Sequence, residues 1–275
     1  MVQEPFTLKG RTIVVTRPHE QAEETGKLIT ERGGKPYFFP TIEIKSSRSP
    51  TETAKLIEAL EKGKVDYVIF MSVNGVKYLF EAAEKLGQIN YFKKLLAKTA
   101  IVAVGPKTAQ ELDKHQIRVD MIPHAYTSDA IIASLQQRGV SGREIWIPRT
   151  KQASPSMAEK LQALGGSVHE VYVYESQLPE DKAAAAHFLQ DLVGGKLHAI
   201  IFSSSLSVKN LFSMLAPHIS AEKLRALLKK VTIVAIGPKT AETLTELGLN
   251  VDVMPETYLL EEALNALAQH WNKKG

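Results

Sequence analysis

The chain contains no cysteine. Disulfides, thiol nucleophiles and thiolate metal sites are therefore excluded. No apolar run approaches the roughly 20 residues that a bilayer-spanning helix requires. The opening residues MVQEPFTLKGR lack a basic-then-apolar export pattern. A cytoplasmic protein without a membrane partner is expected. Basic clusters stop at short pairs such as Lys93-Lys94 and Lys229-Lys230, so no nucleic-acid partner is expected. Neither Gly-x-Gly-x-x-Gly nor a P-loop occurs, and nucleotide chemistry has no motif to rest on. The 8 histidines show no His-x-x-x-His or Glu-x-x-His spacing, so no metal is expected.

What remains is an ordinary globular composition. The 275 residues are 44% apolar and 23% charged, enough for two modest domains. A formal net charge of +4 gives a mild bias towards anionic partners.

The dominant signal is a repeat. Residues 101–112 read IVAVGPKTAQEL and residues 233–244 read IVAIGPKTAETL, identical at 9 of 12 positions and 132 residues apart. Each copy is a β-branched run, then Gly-Pro, then a helical pattern. Glycine lets the chain leave a strand sharply, and proline suits the first helical position. The same offset relates Arg17 to Arg149, Phe70 to Phe202, Ser72 to Ser204, Pro123 to Pro255 and Tyr126 to Tyr258. Two copies of one unit are implied. Each copy alternates strand and helix about five times, as in a parallel sheet covered on both faces. Right-handed crossovers put all strand-to-helix turns at one edge. Ligands of such folds sit there, and the expected site is a cleft where the two edges face each other.

Those turns collect Arg17, Ser72, Val73, Asn74, Lys107, Thr108, Arg149, Ser203, Ser204, Ser205, Lys239 and Thr240. Cations, hydroxyls and helix-start amides are anion-binding chemistry. The hydroxyls equally suit helix N-capping, and one turn serves both purposes. Ser204 lacks a Gly-x-Ser-x-Gly elbow and a partner histidine, which excludes a serine nucleophile. Tyr172 and Tyr174 alternate on an extended run. Packing accounts for such residues, and a hydroxyl near the site could also donate a proton. The segments Arg118–Ile122 and Asn250–Met254 read as strands.

Val14-Val-Thr-Arg-Pro18, Phe70-Met-Ser-Val-Asn-Gly-Val76, the two Gly-Pro-Lys-Thr-Ala turns, Ile147-Pro-Arg149 and Val171-Tyr-Val-Tyr174 occur along the chain. In that order and spacing the chain resembles the uroporphyrinogen-III synthase family over nearly its whole length. The resemblance implies two flavodoxin-like parallel-sheet α/β domains from an internal duplication, joined by a two-stranded connector. One domain would comprise residues 1–37 plus 177–275 and the other 44–170, with 38–43 and 171–176 connecting them. Periodicity alone would cut the chain once, near residue 140. The resemblance further implies cyclisation of hydroxymethylbilane, a linear tetrapyrrole, with loss of water and inversion of the last pyrrole ring. It implies no cofactor. Tyr174 corresponds to the family's tyrosine implicated in hydroxyl departure, and Thr108 and Thr240 to its hydroxyl after Gly-Pro. A monomer is expected, with the enzyme that makes the substrate as a possible partner. A non-catalytic two-lobed binder of tetrapyrroles or other polyanions is the alternative reading.

Overall fold

The computed structural model describes residues 7–47 and 49–273. In chain order its first elements are β1 (Thr12–Val15), α1 (His19–Glu31), β2 (Lys35–Phe38), β3 (Glu43–Ser46), α2 (Thr51–Glu61), β4 (Tyr67–Phe70) and α3 (Val73–Lys85). Next come α4 (Ile89–Leu96), β5 (Ala100–Ala103), α5 (Pro106–Lys114), α6 (Ser128–Arg138), β6 (Glu144–Thr150), α7 (Ser156–Ala163) and β7 (Ser167–Gln177). The last are α8 (Lys182–Val193), β8 (Ala199–Phe202), α9 (Ser205–Leu215), α10 (Ala221–Leu228), β9 (Thr232–Ala235), α11 (Pro238–Glu246) and α12 (Leu260–Lys273). Among the described residues, no helix is long and apolar enough to cross a membrane.

The chain forms two compact units. The first takes the described residues through Glu43 together with those from Gln177 onward; the second is Ile44–Ser176. A single cut near residue 140 does not describe them. Unit 1 holds the sheet β2-β1-β8-β9, parallel throughout. Unit 2 holds β3-β7-β6-β4-β5, with β7, β6, β4 and β5 mutually parallel. Each unit draws its first two repeat strands from one copy and the rest from the other. In both, spatial order follows the 2-1-3-4-5 pattern of flavodoxin-like sheets, once the outermost single bridges are counted, Val102 with Met121 and Val234 with Val253. Residues 171–176, expected as a connector, run inside β7, where Tyr172 and Tyr174 pair with Arg149 and Thr150.

Those outermost positions differ from expectation. Arg118–Ile122 and Asn250–Met254 make one bridge each instead of strands. The reason is a side chain. Asp120 Oδ2 accepts the Ile101 N–H at 2.8 Å, and Asp252 Oδ2 accepts the Ile233 N–H at 2.8 Å. Each carboxylate thus takes a donor that a longer ladder would use.

The strands are short, continuous apolar runs because both faces are covered. In unit 1, Val14, Ile200, Phe202 and Ile233 face one core, and Ile13, Val15, Ile201 and Val234 face the other. In unit 2, Val68, Phe70 and Ile101 face one side, and Ile69, Val102 and Ile145 the opposite one. This two-sided alternation is the period of a strand. Helices close each face through amphipathic stripes such as Val208, Leu211 and Leu215 of α9. Each fully buried side chain of this size contributes about 1.5–3 kcal/mol. The packing leaves the strand exits as the places where polar side chains collect.

Candidate functional site

In unit 2 the β4 exit is Ser72, whose Oγ accepts the Gly75 N–H at 3.0 Å and caps α3. The same Oγ lies 3.2 Å from the Tyr174 hydroxyl. Tyr174 comes from β7 and stacks on Tyr78 of α3, with centroids 5.6 Å apart. Gly75 permits this junction: a Cβ there would lie 2.9 Å from the Pro148 carbonyl oxygen. Val73 and Asn74 are half-buried in the first turn of α3. A cavity of about 440 Å³ opens here, lined by Ser72, Tyr174, Arg149, Thr150, Ser154 and Lys160 among others.

Arg149 lines this cavity but is already satisfied. It is 8% exposed. Its Nη1 donates to Glu170 Oε1 at 2.6 Å and its Nη2 to the Ser154 carbonyl at 2.8 Å. The Tyr172 hydroxyl donates to the other Glu170 oxygen at 3.0 Å. Burial, followed by that hydrogen bond, pushes the Tyr172 phenol up from its ordinary pKa. Arg149, expected as an anion contact, is already engaged by Glu170 in this structure. Its charge is neutralised by a carboxylate of the same sheet. Sequence reasoning missed Glu170; its signal was position, two residues before Tyr172 on the same strand.

In unit 1 the equivalent Arg17 is held differently. Its Nη2 donates to Gln21 Oε1 at 2.8 Å and its Nη1 to Thr25 Oγ1 at 3.4 Å. Both acceptors are neutral, and its enclosed Nε has no hydrogen-bond partner among the described residues. Burial lowers its pKa from the ordinary arginine value, with Glu24 opposing through space. Such a cation gains from an incoming anion. The unit 1 residue matching Glu170 is Phe38, half exposed at 50%.

The other exits in unit 1 are drawn together. Ser204 Oγ caps α9 by accepting the Ser207 N–H at 3.2 Å. Ser205 Oγ donates to the Lys239 carbonyl at 2.9 Å, which ties the start of α9 to the start of α11. Ser203 sits half-buried beside them.

Both Gly-Pro turns begin a nine-residue helix with proline in its first turn and no side-chain cap. Lys107 and Lys239 are exposed, while Thr108 and Thr240 are 3% and 4% exposed. The expected conformational freedom is not what either glycine supplies. Gly105 has φ −170° and Gly237 φ −147°, extended values that any residue adopts. At Gly105 the limit is space, since a Cβ would meet the Tyr126 ring at 3.1–3.4 Å. Among the described residues, no three His, Asp or Glu side chains converge as a metal site requires.

Two flavodoxin-like units with donor-lined strand exits define a duplicated, open-sheet α/β protein. The family described as uroporphyrinogen-III synthase HemD matches residues 23–265. A putative uroporphyrinogen-III synthase of Methanothermobacter thermautotrophicus is 34% identical over 258 residues, covering 93% of this chain and 97% of that one. A uroporphyrinogen-III synthase of Synechococcus elongatus is 29% identical over 274 residues, 98% of each chain. The crystal structure of a mutant uroporphyrinogen III synthase from the extremely thermophilic bacterium Thermus thermophilus shares the fold, with TM-score 0.62 at 23% identity over 96% of this chain and 99% of that one. The chain belongs to the uroporphyrinogen-III synthase family.

Proposed function

We propose that this protein catalyses the reaction for which its family is named, closing hydroxymethylbilane to uroporphyrinogen III with loss of water and inversion of the last pyrrole. The observation that carries this reading is the Tyr174 hydroxyl, 3.2 Å from Ser72 Oγ, at the cavity in unit 2. A phenol there donates a proton to the departing substrate hydroxyl, so that water leaves. Ser72 already accepts a backbone N–H and still has its own proton to offer Tyr174 in return. Stacking on Tyr78 holds the ring in place, which is an orientation effect.

The substrate carries acetate and propionate arms. Arg17, Lys107, Lys239 and the helix-start amides bind these carboxylates. Ser203, Ser204, Ser205, Asn74, Thr108 and Thr240 supply neutral donors. Arg149 keeps the unit 2 cavity in shape through Glu170, and Val73 shapes the start of α3. The protein works as a cytoplasmic monomer without cofactor, on substrate released by the enzyme that makes it.

The test is a coupled assay. Freshly generated hydroxymethylbilane is supplied, the products are oxidised, and the I and III isomers are separated by chromatography. Excess III isomer over the spontaneous I isomer is expected. Only I isomer, from folded protein with live substrate, leaves the chain a tetrapyrrole binder without activity. Tyr174→Phe is expected to lower kcat by about 100-fold with KM nearly unchanged; wild-type kcat would remove the proton-donor role.

A further inference from the structure

Large apolar side chains exposed on the surface are ordinarily scattered. Among the described residues five of the ten lie in two matched loops: Ile122 and Tyr126 in one, Met254, Tyr258 and Leu259 in the other. Ile122 matches Met254, and Tyr126 matches Tyr258, at the repeat offset. Each loop leaves the outermost bridge of its sheet and leads into α6 or α12. Tyr126 and Tyr258 are 62% and 59% exposed. Their rings lie beside the two Gly-Pro turns: a Cβ on Gly105 would be 3.1 Å from the Tyr126 ring, and one on Gly237 3.8 Å from the Tyr258 ring.

Beside each ring is an anion-accepting helix start whose glycine N-cap has no side chain to occupy the amides. A second polar feature points to a ligand. Thr108 and Thr240 are 97% and 96% buried by their exposures of 3% and 4%, and neither hydroxyl has a hydrogen-bond partner among the described residues. Among the described residues, Arg17 Nε and Trp146 Nε1 are the fully enclosed side-chain atoms lacking partners. The two threonine hydroxyls therefore keep a small accessible face at the helix start. Each turn thus pairs a flat apolar ring with donors for an anion.

That combination matches one chemistry: a flat heteroaromatic ring bearing a carboxylate arm. We propose that Tyr126 and Tyr258 are substrate-positioning residues, each seating one pyrrole ring whose carboxylate arm meets the adjacent helix start. This rests on the synthase reading. Aromatic faces attract flat rings by offset stacking, and the carboxylate sets the ring's register. Ile122 and Met254 extend the apolar seat.

The test uses steady-state kinetics of III-isomer formation, with equilibrium dialysis against uroporphyrinogen III kept reduced. Tyr126→Leu and Tyr258→Leu are each expected to raise KM and the product Kd about tenfold, with kcat within about twofold, as loss of one stacked ring implies. Tyr126→Phe and Tyr258→Phe retain the ring and keep wild-type KM. Tyr126→Gln and Tyr258→Gln serve where a leucine variant melts early by circular dichroism. Wild-type KM and Kd in the Leu and Gln variants would overturn the ring seats while the synthase reading stands. A tenfold rise in the Phe variants would equally overturn them, since the hydroxyl would then be the contact. Absence of III isomer from the wild-type protein sinks the synthase reading, and the ring seats with it.

Discussion

Arg17 and Arg149 occupy the same place in two copies of one unit and have opposite surroundings. The registers are identical: Val15 pairs with Phe38 as Ile147 pairs with Glu170. One residue on the neighbouring strand decides the difference. Glu170 satisfies Arg149 and turns it into a brace between β6 and β7. Phe38 leaves Arg17 with neutral acceptors and, among the described residues, an unpaired Nε. A duplicated cation is thus ion-paired to the neighbouring strand in one copy and hydrogen-bonded to neutral acceptors in the other. Symmetry of sequence does not carry symmetry of role.

The comparison breaks most visibly at Glu170. Glu170→Ala strands a buried guanidinium and is expected to cost about 3 kcal/mol in urea unfolding. A change under about 1 kcal/mol, the range of surface pairs, would mean that the brace is not structural. Next is Gly75, whose counterpart Ser207 carries a side chain without conflict. Gly75→Ala pushes against the Pro148 carbonyl and is expected to cost about 2 kcal/mol. Gly237→Ala, with 3.8 Å to the nearest ring atom, should change stability little in the same assay.

Arg17 sharpens the contrast in function. Arg17→Gln is expected to raise KM about tenfold, the loss of one charge-assisted contact, with little change in melting temperature. Phe38→Glu places a carboxylate where Glu170 stands in the other unit, and should raise KM similarly by engaging Arg17. If both variants keep wild-type KM in the isomer assay, the asymmetry has no role in binding.

The smallest effect concerns His115, whose counterpart is Leu247. His115 stacks on Phe80 at 4.0 Å. Burial, aided by Lys93, lowers its pKa in the fold below the ordinary value, which is about 6.5. The unfolded chain therefore takes up the proton first. This contribution to stability is complete above pH about 6.5 and is lost as pH falls through the folded pKa. Urea midpoints should fall slightly on acidification over that window, and His115→Leu should flatten the slope. An unchanged slope would remove His115 as its source.

Much of the fold was legible in the chain. The apolar β-branched runs and the Gly-Pro and Ser turns marked strand exits because strand period, capping and proline geometry are local properties. The 132-residue repeat marked the duplication. The outermost strands were over-read because nothing local reveals that Asp120 and Asp252 take the ladder donors. The site residues were legible as types, since donors at strand ends are a pattern, but not as partners.

By itself, then, the sequence determined that this is a duplicated parallel α/β protein without thiol chemistry, with cations and hydroxyls at its strand exits. Tertiary structure decided which repeat strands share a sheet, that Arg149 pairs with Glu170 while Arg17 hydrogen-bonds neutral acceptors, and that Tyr174 meets Ser72. It also decided that neither Gly-Pro glycine makes a left-handed turn and that Gly105 makes room for the Tyr126 ring. The physical reason is range. Capping, periodicity and turn chemistry act within a few residues, whereas ion pairing, close packing and burial are set by neighbours 21 residues away, as for Arg149 and Glu170, or 102 away, as for Ser72 and Tyr174.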